Sequence, residues 1–309
     1  MARHERDGGR PVGPVETGEP LVEPVPDHPA ATARLGGERA LVVADYHAGI
    51  EVGLRHERGI ELDSASDQRR ERLLSLLDQT DTDRLVVVGD LGHRVSGVGQ
   101  TEREEVAALL DAVPVPVTLV RGNHDTGLAE AFPDRLDVTP ATGTRRGSVG
   151  FLHGHTWPAA DVLAADVICV GHEHPAVKLA DEVGRGRTER AWLRGPLASE
   201  PFVRRDSERR TPERRDGEAG SVERQDSEEM SVERQDGEEA SAERREDRDT
   251  TAAWNDPELI VVPAFNDRSG GTWVNVEGQA FLAPFLPEGL SAGQAYLLDG
   301  TRLGDYRSI

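Results

Sequence analysis

Five short clusters rich in Asp, His and Asn carry the side chains that could do chemistry in this chain. In order they are Asp45-Tyr46-His47, Gly89-Asp90, Gly122-Asn123-His124-Asp125, His153-Gly154-His155 and Gly171-His172-Glu173-His174. Carboxylate oxygens and imidazole nitrogens together suit Mn²⁺, Fe, Zn²⁺ or Ni²⁺ better than Ca²⁺ or Mg²⁺ alone. The candidate ligands are too many for one ion. Two ions about 3.5–4 Å apart could clamp an in-line attack on phosphorus and lower the pKa of a water between them.

The third cluster also contains groups suited to proton transfer. His124 can move a proton near neutral pH, and Asp125 could accept a hydrogen bond from His124 and fix its tautomer. Asn123 offers a neutral oxygen to a metal, and Gly122 permits a tight or left-handed turn. Each cluster alone could be a turn, a helix cap or a core histidine. Their recurrence in this order favours one shared site over five separate structural roles.

The first three clusters follow predicted strands. Three continuous apolar runs, at residues 40–44, 85–88 and 115–120, are typical of strands buried on both faces. Helices are predicted between them at residues 64–80 and 101–113, and Thr101 and Glu104 fit a capping box for the second. The alternation predicts a right-handed, mostly parallel sheet. Ligands bind at the carboxyl ends of strands in such sheets, where these clusters lie.

The rest of the chain predicts a second sheet. An edge strand is expected at residues 21–25, because proline is confined to edges and ends of sheets. Short strands at 136–139, 149–153, 167–170 and 177–179 are expected to pair in a more antiparallel sheet. Closing strands are predicted at 190–194, 258–265, 272–276 and 295–298.

Two segments have the composition of disordered chain. Residues 1–18 are Gly, Pro and charge, and residues 203–250 are dominated by Arg, Asp, Glu, Ser and Gln, with a ten-residue repeat from Ser221. We call residues 203–250 the charged insertion. The predicted division is therefore a tail at 1–18 and one domain, made of 19–202 and 251–309, that the charged insertion interrupts. A partner protein could bind the charged insertion.

The charge of the chain indicates the salt conditions in which the protein works, but it does not exclude a nucleic acid as a partner. Among 309 residues the net charge is −21, and Lys178 is the only lysine. Such a surface suits high salt and predicts a haloarchaeal cytoplasm. At molar salt the Debye length is about 3 Å, so acidity does not exclude a nucleic acid. We expect a cytoplasmic protein, because no signal peptide or membrane-spanning run is seen, with Cys169 as a reduced core thiol.

The series D-x-H, G-D, G-N-H-D, H-G-H and G-H-x-H, between residues 40 and 175, resembles the calcineurin-like metallophosphoesterases. The segment 262–266, with Ser269-Gly270-Gly271, is similar to the archaeal and bacterial subfamily that includes the DNA-ligase-associated phosphoesterases. This resemblance implies an α/β fold, a four-layer α/β/β/α sandwich with the disordered acidic insertion added, and a dinuclear metal site. The expected cofactors are two divalent ions, Mn²⁺ first and Fe, Zn²⁺ or Ni²⁺ as alternatives.

The resemblance also implies a role for individual residues. One metal would be held by Asp45, His47, Asp90 and His174, and the other by Asp90, Asn123, His153 and His172. His124 would protonate the leaving oxygen or stabilise charge on the phosphate, and Asp125 would orient His124. The resemblance gives His93 and His155 no role.

The expected activity is hydrolysis of a phosphodiester, with DNA or RNA as candidate substrates. The chain has no basic stripe with interleaved aromatics of the kind found in single-strand binding proteins. A small-nucleotide or cyclic phosphodiesterase is therefore the alternative among enzymes. The alternative from another class is a metal-binding scaffold that keeps the fold without turnover. The presence of every ligand favours the enzyme.

Overall fold

The first sheet carries the clusters that come earliest in the sequence. A computed structural model of the protein describes residues 19–180, 184–210 and 254–309. Its first sheet contains β1 (Val22–Pro24), β2 (Ala31–Arg34), β3 (Arg39–Val43), β4 (Arg84–Val88), β5 (Val117–Val120) and β6 (Asp137–Thr139), in that spatial order. β1 and β2 pair antiparallel, and β3 to β6 are all parallel. The carboxyl ends of β3, β4 and β5 therefore meet at one edge.

The second sheet mixes parallel and antiparallel pairs. Its strands are β7 (Thr144–Arg146), β8 (Val149–Leu152), β9 (Val167–Val170), β10 (Ala176–Ala180), β11 (Gly186–Pro196), β12 (Glu258–Val261), β13 (Gln294–Leu297) and β14 (Arg302–Asp305). The order is β14-β13-β11-β12-β9-β8-β7, and β10 pairs with β11. β12 is parallel to β9 and antiparallel to β11. β12, which comes late in the chain, thus lies at the centre of this sheet.

Helices cover the outer face of each sheet. They are α1 (Ile50–Arg58), α2 (Ser66–Thr80), α3 (Gln100–Ala112), α4 (Leu128–Ala131), α5 (Ala160–Leu163) and α6 (Glu200–Arg210). One apolar core lies between the first sheet and α2 and α3, a second between the two sheets, and a third between the second sheet and α5 and α6. Three cores between four layers are the predicted α/β/β/α sandwich, which is confirmed.

Two predicted strands are placed differently by the structure. Residues 137–139 form β6 and join the first sheet, parallel to β5, rather than the second sheet. The chain at 272–276 forms a turn with a single bridge from Trp273 to Ala176. Its hydrogen bonds go to the loop at Glu173 and to Ala176 and Lys178, in the first half of β10. The local amino-acid composition of these two segments does not show which strand or loop they pair with.

Helix ends also differ from the prediction. The residue before α3 is Gly99, whose N–H donates to Glu102 Oε2 at 2.9 Å, so Glu102 closes the first turn rather than the predicted pair of Thr101 and Glu104. Residues 203–210, predicted as the start of the charged insertion, belong to α6. Phe202 anchors that helix against Trp157 and Phe285. The tail at 1–18 and the remainder of the charged insertion, 211–250, lie outside the described residues.

The single cysteine is buried between the two sheets, as predicted. Burial raises the pKa of the Cys169 thiol to about 12. Since a raised pKa keeps the thiol protonated and unreactive below that pH, we expect the native protein to resist Ellman's reagent at pH 8. One thiol should react once the protein is unfolded in denaturant. Rapid labelling of the native protein would show that Cys169 is accessible.

Candidate metal centre

The polar clusters meet where strands of both sheets end. Asp45, Asp90 and Asn123 follow β3, β4 and β5, and His153 and His172 follow β8 and β9. These five strands are parallel within their sheets. All seven residues predicted as metal ligands are therefore gathered at one end of the sandwich. Six of them form two groups of three, and Asn123 lies beside the second group.

The first group contains Asp45, His47 and His174, with ligand atoms all within 4.8 Å of one another. His174 Nε2 lies 3.1 Å from Asp45 Oδ1 and 3.4 Å from His47 Nε2. Asp45 is fully buried and also accepts the His172 N–H at 3.1 Å. The three donors converge on one point.

The second group contains Asp90, His153 and His172, again within 4.8 Å of one another. His153 Nε2 lies 3.3 Å from Asp90 Oδ2 and 3.2 Å from Asn123 Oδ1. Asp90 Oδ2 is also 3.9 Å from His47 Nε2, a member of the first group. Asp90 therefore stands between the two groups, where a shared ligand would be.

The tautomers of two histidines show that the donor set fits cations. His174 Nδ1 donates to the Gly270 carbonyl at 2.7 Å, and His153 Nδ1 donates to the Val88 carbonyl at 3.0 Å. Each neutral ring then directs the lone pair of Nε2 at a carboxylate. Lone pairs facing carboxylate oxygens repel unless a cation lies between them. Without metal a proton takes this place: although burial lowers the pKa of His153, the Asp90 carboxylate raises it to about 9.

Two other histidines are held neutral, which is the form that binds a metal. Burial lowers the pKa of His47 to about 3 and that of His172 to about 4. Asp90 stays ionised: burial alone would raise its pKa, but the charge of His153 and the hydrogen bond from its ring hold it below its usual value. The groups therefore offer ionised carboxylates beside imidazole lone pairs, the donor types that suit borderline divalent metals.

The backbone at these positions is strained. Five of the seven predicted ligands have positive φ: Asp45, His47, Asp90, His172 and His174, between 44° and 69°. Non-glycine residues rarely adopt this conformation, and such residues cluster at functional sites. The strain is maintained by backbone hydrogen bonds, such as those from His47 N to Asp90 O at 2.9 Å and from Asp45 N to Gly89 O at 3.1 Å.

Gly122 is required for a reason other than the predicted left-handed turn. It is absent from the described glycines with positive φ. A Cβ at this position would lie 2.2 Å from Asp90 Oδ1 and 2.5 Å from Asp90 N. The loop after β5 thus presses its backbone against the central carboxylate, and only glycine leaves room.

The prediction that Asp125 holds the ring of His124 is wrong. Its Oδ2 accepts the N–H groups of Gly122 at 2.7 Å and Asp90 at 2.9 Å, and its Oδ1 that of Gly92 at 3.2 Å. The ring of His124 instead donates from Nδ1 to the carbonyl of His93. Asp125 therefore joins two ligand loops through their backbones, while His93 fixes the His124 tautomer. His124 Nε2 is left 3.9 Å from Asp90 Oδ2.

The two histidines that the sequence left without a role also lie at the site. His93 Nδ1 is 3.3 Å from His47 Nδ1, and the rings of His93 and His124 are stacked with centroids 5.7 Å apart. The only sequence feature that pointed to His93 as part of the site was its position three residues after Asp90. His155 lies 5.3 Å from His153, centroid to centroid, and its buried Nδ1 has no hydrogen-bond partner among the described residues.

Comparison with known proteins identifies the family. A model of the calcineurin-like phosphoesterases matches residues 38–205, more than half of the chain and all five clusters. The chain belongs to the calcineurin-like phosphoesterase family. It is a metal-dependent hydrolase of phosphoesters.

Solved structures similar to this phosphoesterase are distant in sequence. The Pseudomonas putida nuclease MPE is 16% identical, with 91% of this chain and 100% of that protein covered and a TM-score of 0.46. The E. coli phosphoesterase Yfce is 20% identical, with 46% and 73% covered and a TM-score of 0.28. No curated protein matches the chain significantly. None of the helices in the described ranges is long and apolar enough to cross a membrane.

Two further residues of this phosphoesterase, which the sequence did not single out, hold loops around the site. Glu173, between two predicted ligands, is fully buried and accepts the N–H groups of Leu282 at 2.9 Å and Ala283 at 2.6 Å. Asn266 Nδ2 donates to the Tyr46 carbonyl at 2.9 Å. Both tie late segments of the chain to the ligand loops. Asn266 lies in the segment that carried the subfamily resemblance.

A buried ion-pair network supports the loop that carries His47. Arg69, 2% exposed, donates to Glu51 at 2.6 Å and to Glu105 at 2.8 Å. Glu105 Oε2 also accepts the Gly49 N–H at 2.8 Å, two residues after His47. Arg268, on the later segment, reaches the same Glu51 at 2.7 Å. Three helices, α1, α2 and α3, and the later segment with Arg268 are thus joined next to the loop that carries His47.

Removal of the Arg69 side chain should therefore destabilise the folded protein. We expect Arg69→Ala to lower the free energy of unfolding by about 3–5 kcal/mol, because the buried Glu105 loses its ion pair with Arg69 and the buried Glu51 is left with that to Arg268. The matched control is Arg70→Ala, whose exposed pair with Asp67 is worth about 0–1 kcal/mol. Urea titration of both variants measures the difference. Equal stability of the two would show that the network contributes little.

Proposed function

We propose that the chain hydrolyses a phosphodiester with the help of two divalent cations. The observation that carries this proposal is the pair of ligand groups that meet at Asp90, with the free Nε2 of His124 beside them. The first cation would be held by Asp45, His47, Asp90 and His174, and the second by Asp90, Asn123, His153 and His172. When bound, such cations polarise the phosphoryl oxygens and acidify a water. Mn²⁺ is the metal we propose.

His124 is proposed as the proton donor to the leaving oxygen. Its Nδ1 hydrogen is held by the His93 carbonyl, so that Nε2 is the nitrogen free to act on substrate. Asp125 would act indirectly, because it fixes the backbone of Gly122 against that of Asp90. His124 N–H also donates to Asp90 Oδ1 at 3.0 Å, which keeps the proton donor and the central carboxylate in register.

Room on both sides of the site supports a diester rather than a monoester. A cleft of about 300 Å³ over His47, Asp90 and His124 is bounded by the segments 270–272 and 279–282. A second cavity, of about 620 Å³, opens on the other side of His93. A phosphorus atom over the metals would therefore have space for one substituent in each direction. DNA or RNA is the proposed substrate, and a small nucleotide or cyclic phosphodiester is the alternative.

The charged insertion is proposed to have no part in catalysis. The ligands and the loops that hold them all lie outside it, and a protein partner is its proposed role. A chain without residues 211–250 should hydrolyse a small diester at the rate of the full chain. A loss of turnover in the shortened but folded chain would place a catalytic contribution in that segment.

The experiment that tests the function is hydrolysis of bis-p-nitrophenyl phosphate by metal-free protein before and after addition of Mn²⁺. It is run at high salt, the setting predicted from the acidic surface. Turnover that appears only with Mn²⁺ would support the proposal, and Fe, Zn²⁺ and Ni²⁺ are then compared. If folded, metal-loaded protein hydrolyses only p-nitrophenyl phosphate, the substrate is a monoester. If it hydrolyses neither, the scaffold alternative is favoured.

A further inference from the structure

The cavity beyond His93 is larger than the cleft over the metal centre. It lies between α1 and the segment 93–102, and its volume is about 620 Å³. His93 lines it and also touches the site, since its Nδ1 is 3.3 Å from His47 Nδ1. Ala48 and Gly49, the two residues after His47, form another part of the wall. The cavity therefore adjoins the metal centre, and the ring of His93 lies between the two.

The position of the proton donor decides which side of the substrate faces this cavity. His124 lines the smaller cleft and stacks on His93 with ring centroids 5.7 Å apart, so the ring of His93 stands between the proposed donor and the cavity. A leaving oxygen must come within about 2.6–3.2 Å of the nitrogen that protonates it. The group attached to that oxygen then extends past His93. The smaller cleft at 270–272 is left for the retained substituent.

The walls suit a flat, polar and uncharged group. Besides its charged residues, three kinds of side chain line the cavity: apolar Ala48, Val52 and Val95; hydrogen-bonding Ser96, Gln100 and Thr101; and the imidazoles of His56 and His93. Imidazole rings are among the platforms on which nucleobases stack. The volume is within the range of pockets that enclose small organic molecules. A nucleobase with its sugar matches this combination.

The charges of the cavity disfavour a second phosphate there. Two carboxylates, Glu57 and Glu102, line it against one guanidinium, that of Arg94. Glu102 already accepts the N–H groups of His93 at 2.7 Å and Gly99 at 2.9 Å. A further anion beside these carboxylates would be repelled. The occupant should therefore carry no charge of its own.

We propose that this cavity binds an uncharged terminal nucleoside, which leaves when the last phosphodiester of a strand or of a dinucleotide is cleaved. The proposal rests on the phosphodiesterase function proposed above. A water oxygen forms a bond to phosphorus and gives up its proton to solvent, and the bond between phosphorus and the nucleoside oxygen breaks. That oxygen keeps the electron pair and takes the Nε2 proton of the His124 imidazolium, which becomes a neutral imidazole with its hydrogen on Nδ1. The products are a phosphomonoester and a nucleoside.

The test is binding of adenosine, which contains no phosphate, to the full-length protein by equilibrium dialysis, with and without Mn²⁺. Val52→Trp fills the cavity from α1 and should weaken binding at least about tenfold. Val95→Trp, at a position 64% exposed, repeats the test where folding is not at risk. Val203→Trp places the same side chain on exposed α6 and should bind adenosine like the wild type.

The outcomes separate this inference from the proposed function. Saturable binding that both cavity variants weaken and Val203→Trp leaves intact supports the inference. Absence of saturable binding, or equal binding by all variants, overturns it. The same preparations are assayed with bis-p-nitrophenyl phosphate and Mn²⁺. Turnover without adenosine binding overturns the inference alone, whereas adenosine binding without turnover overturns the proposed function and the leaving-group role with it.

Discussion

His124→Ala is expected to lower kcat for a phosphodiester by about 10²–10⁴-fold, the usual contribution of a general acid. Metal content should stay at the wild-type level, because the proposed ligands do not include the His124 side chain. The backbone N–H that donates to Asp90 Oδ1 is retained in the variant, so the central carboxylate keeps its position. Steady-state kinetics and metal analysis of the same sample measure the two quantities.

The control for His124→Ala is His28→Ala, which removes an imidazole from the turn between β1 and β2. It should keep full activity. A second comparison uses the leaving group: p-nitrophenolate needs little protonation, so the loss should be smaller for bis-p-nitrophenyl phosphate than for a dinucleotide. An equal loss for both substrates would argue that His124 stabilises charge on the phosphate rather than protonating the leaving oxygen.

Asp90→Asn is expected to weaken metal binding by more than about 100-fold, beyond the 10–100-fold typical of changes around a ligand. Turnover should be lost with it. Asp90 Oδ2 lies 3.3 Å from His153 Nε2 and 3.9 Å from both His47 and His124 Nε2. An amide removes the negative charge shared by both ligand groups. Metal titration followed by calorimetry gives the number of ions bound and their affinities.

Asp111→Asn is the matched control, because Asp111 is exposed and its ion pair with Arg135, at 2.9 Å, lies on the surface. It should bind metal like the wild type. The stoichiometry is the sharper readout, since a shared ligand affects both ions at once. Loss of one ion with the other at full affinity would show that Asp90 belongs to a single metal.

The sequence predicted those parts of the site that depend on local patterns, namely the continuous apolar strands and the ligand residues that come directly after them. Strands β3, β4 and β5 are continuous apolar runs, and buried strands of a parallel sheet have few alternatives. The ligand residues follow such runs, so their meeting at one edge could be predicted. The sandwich itself came from the resemblance and not from periodicity.

The contacts that were predicted wrongly depend on packing between distant segments. Asp125 was assigned to the His124 ring because the two are adjacent, but the strained loop turns its carboxylate toward the N–H groups of Gly122 and Asp90. β6 was given to the wrong sheet because a three-residue strand does not encode its neighbour. Glu173 was given no role of its own, and the backbone N–H groups of Leu282 and Ala283 that it accepts lie more than 100 residues later.

The place of β12 in the second sheet has a consequence for how the protein is made. β12 begins at Glu258, yet it lies between β9 and β11, which end at Val170 and Pro196. The ribosome therefore releases β9 and β11 long before the strand that joins them. Until β12 arrives, both strands present open edges that can pair with other chains. Synthesis passes through a stage at which the first sheet can be complete while the second waits for its centre, and aggregation is to be expected from chains arrested there.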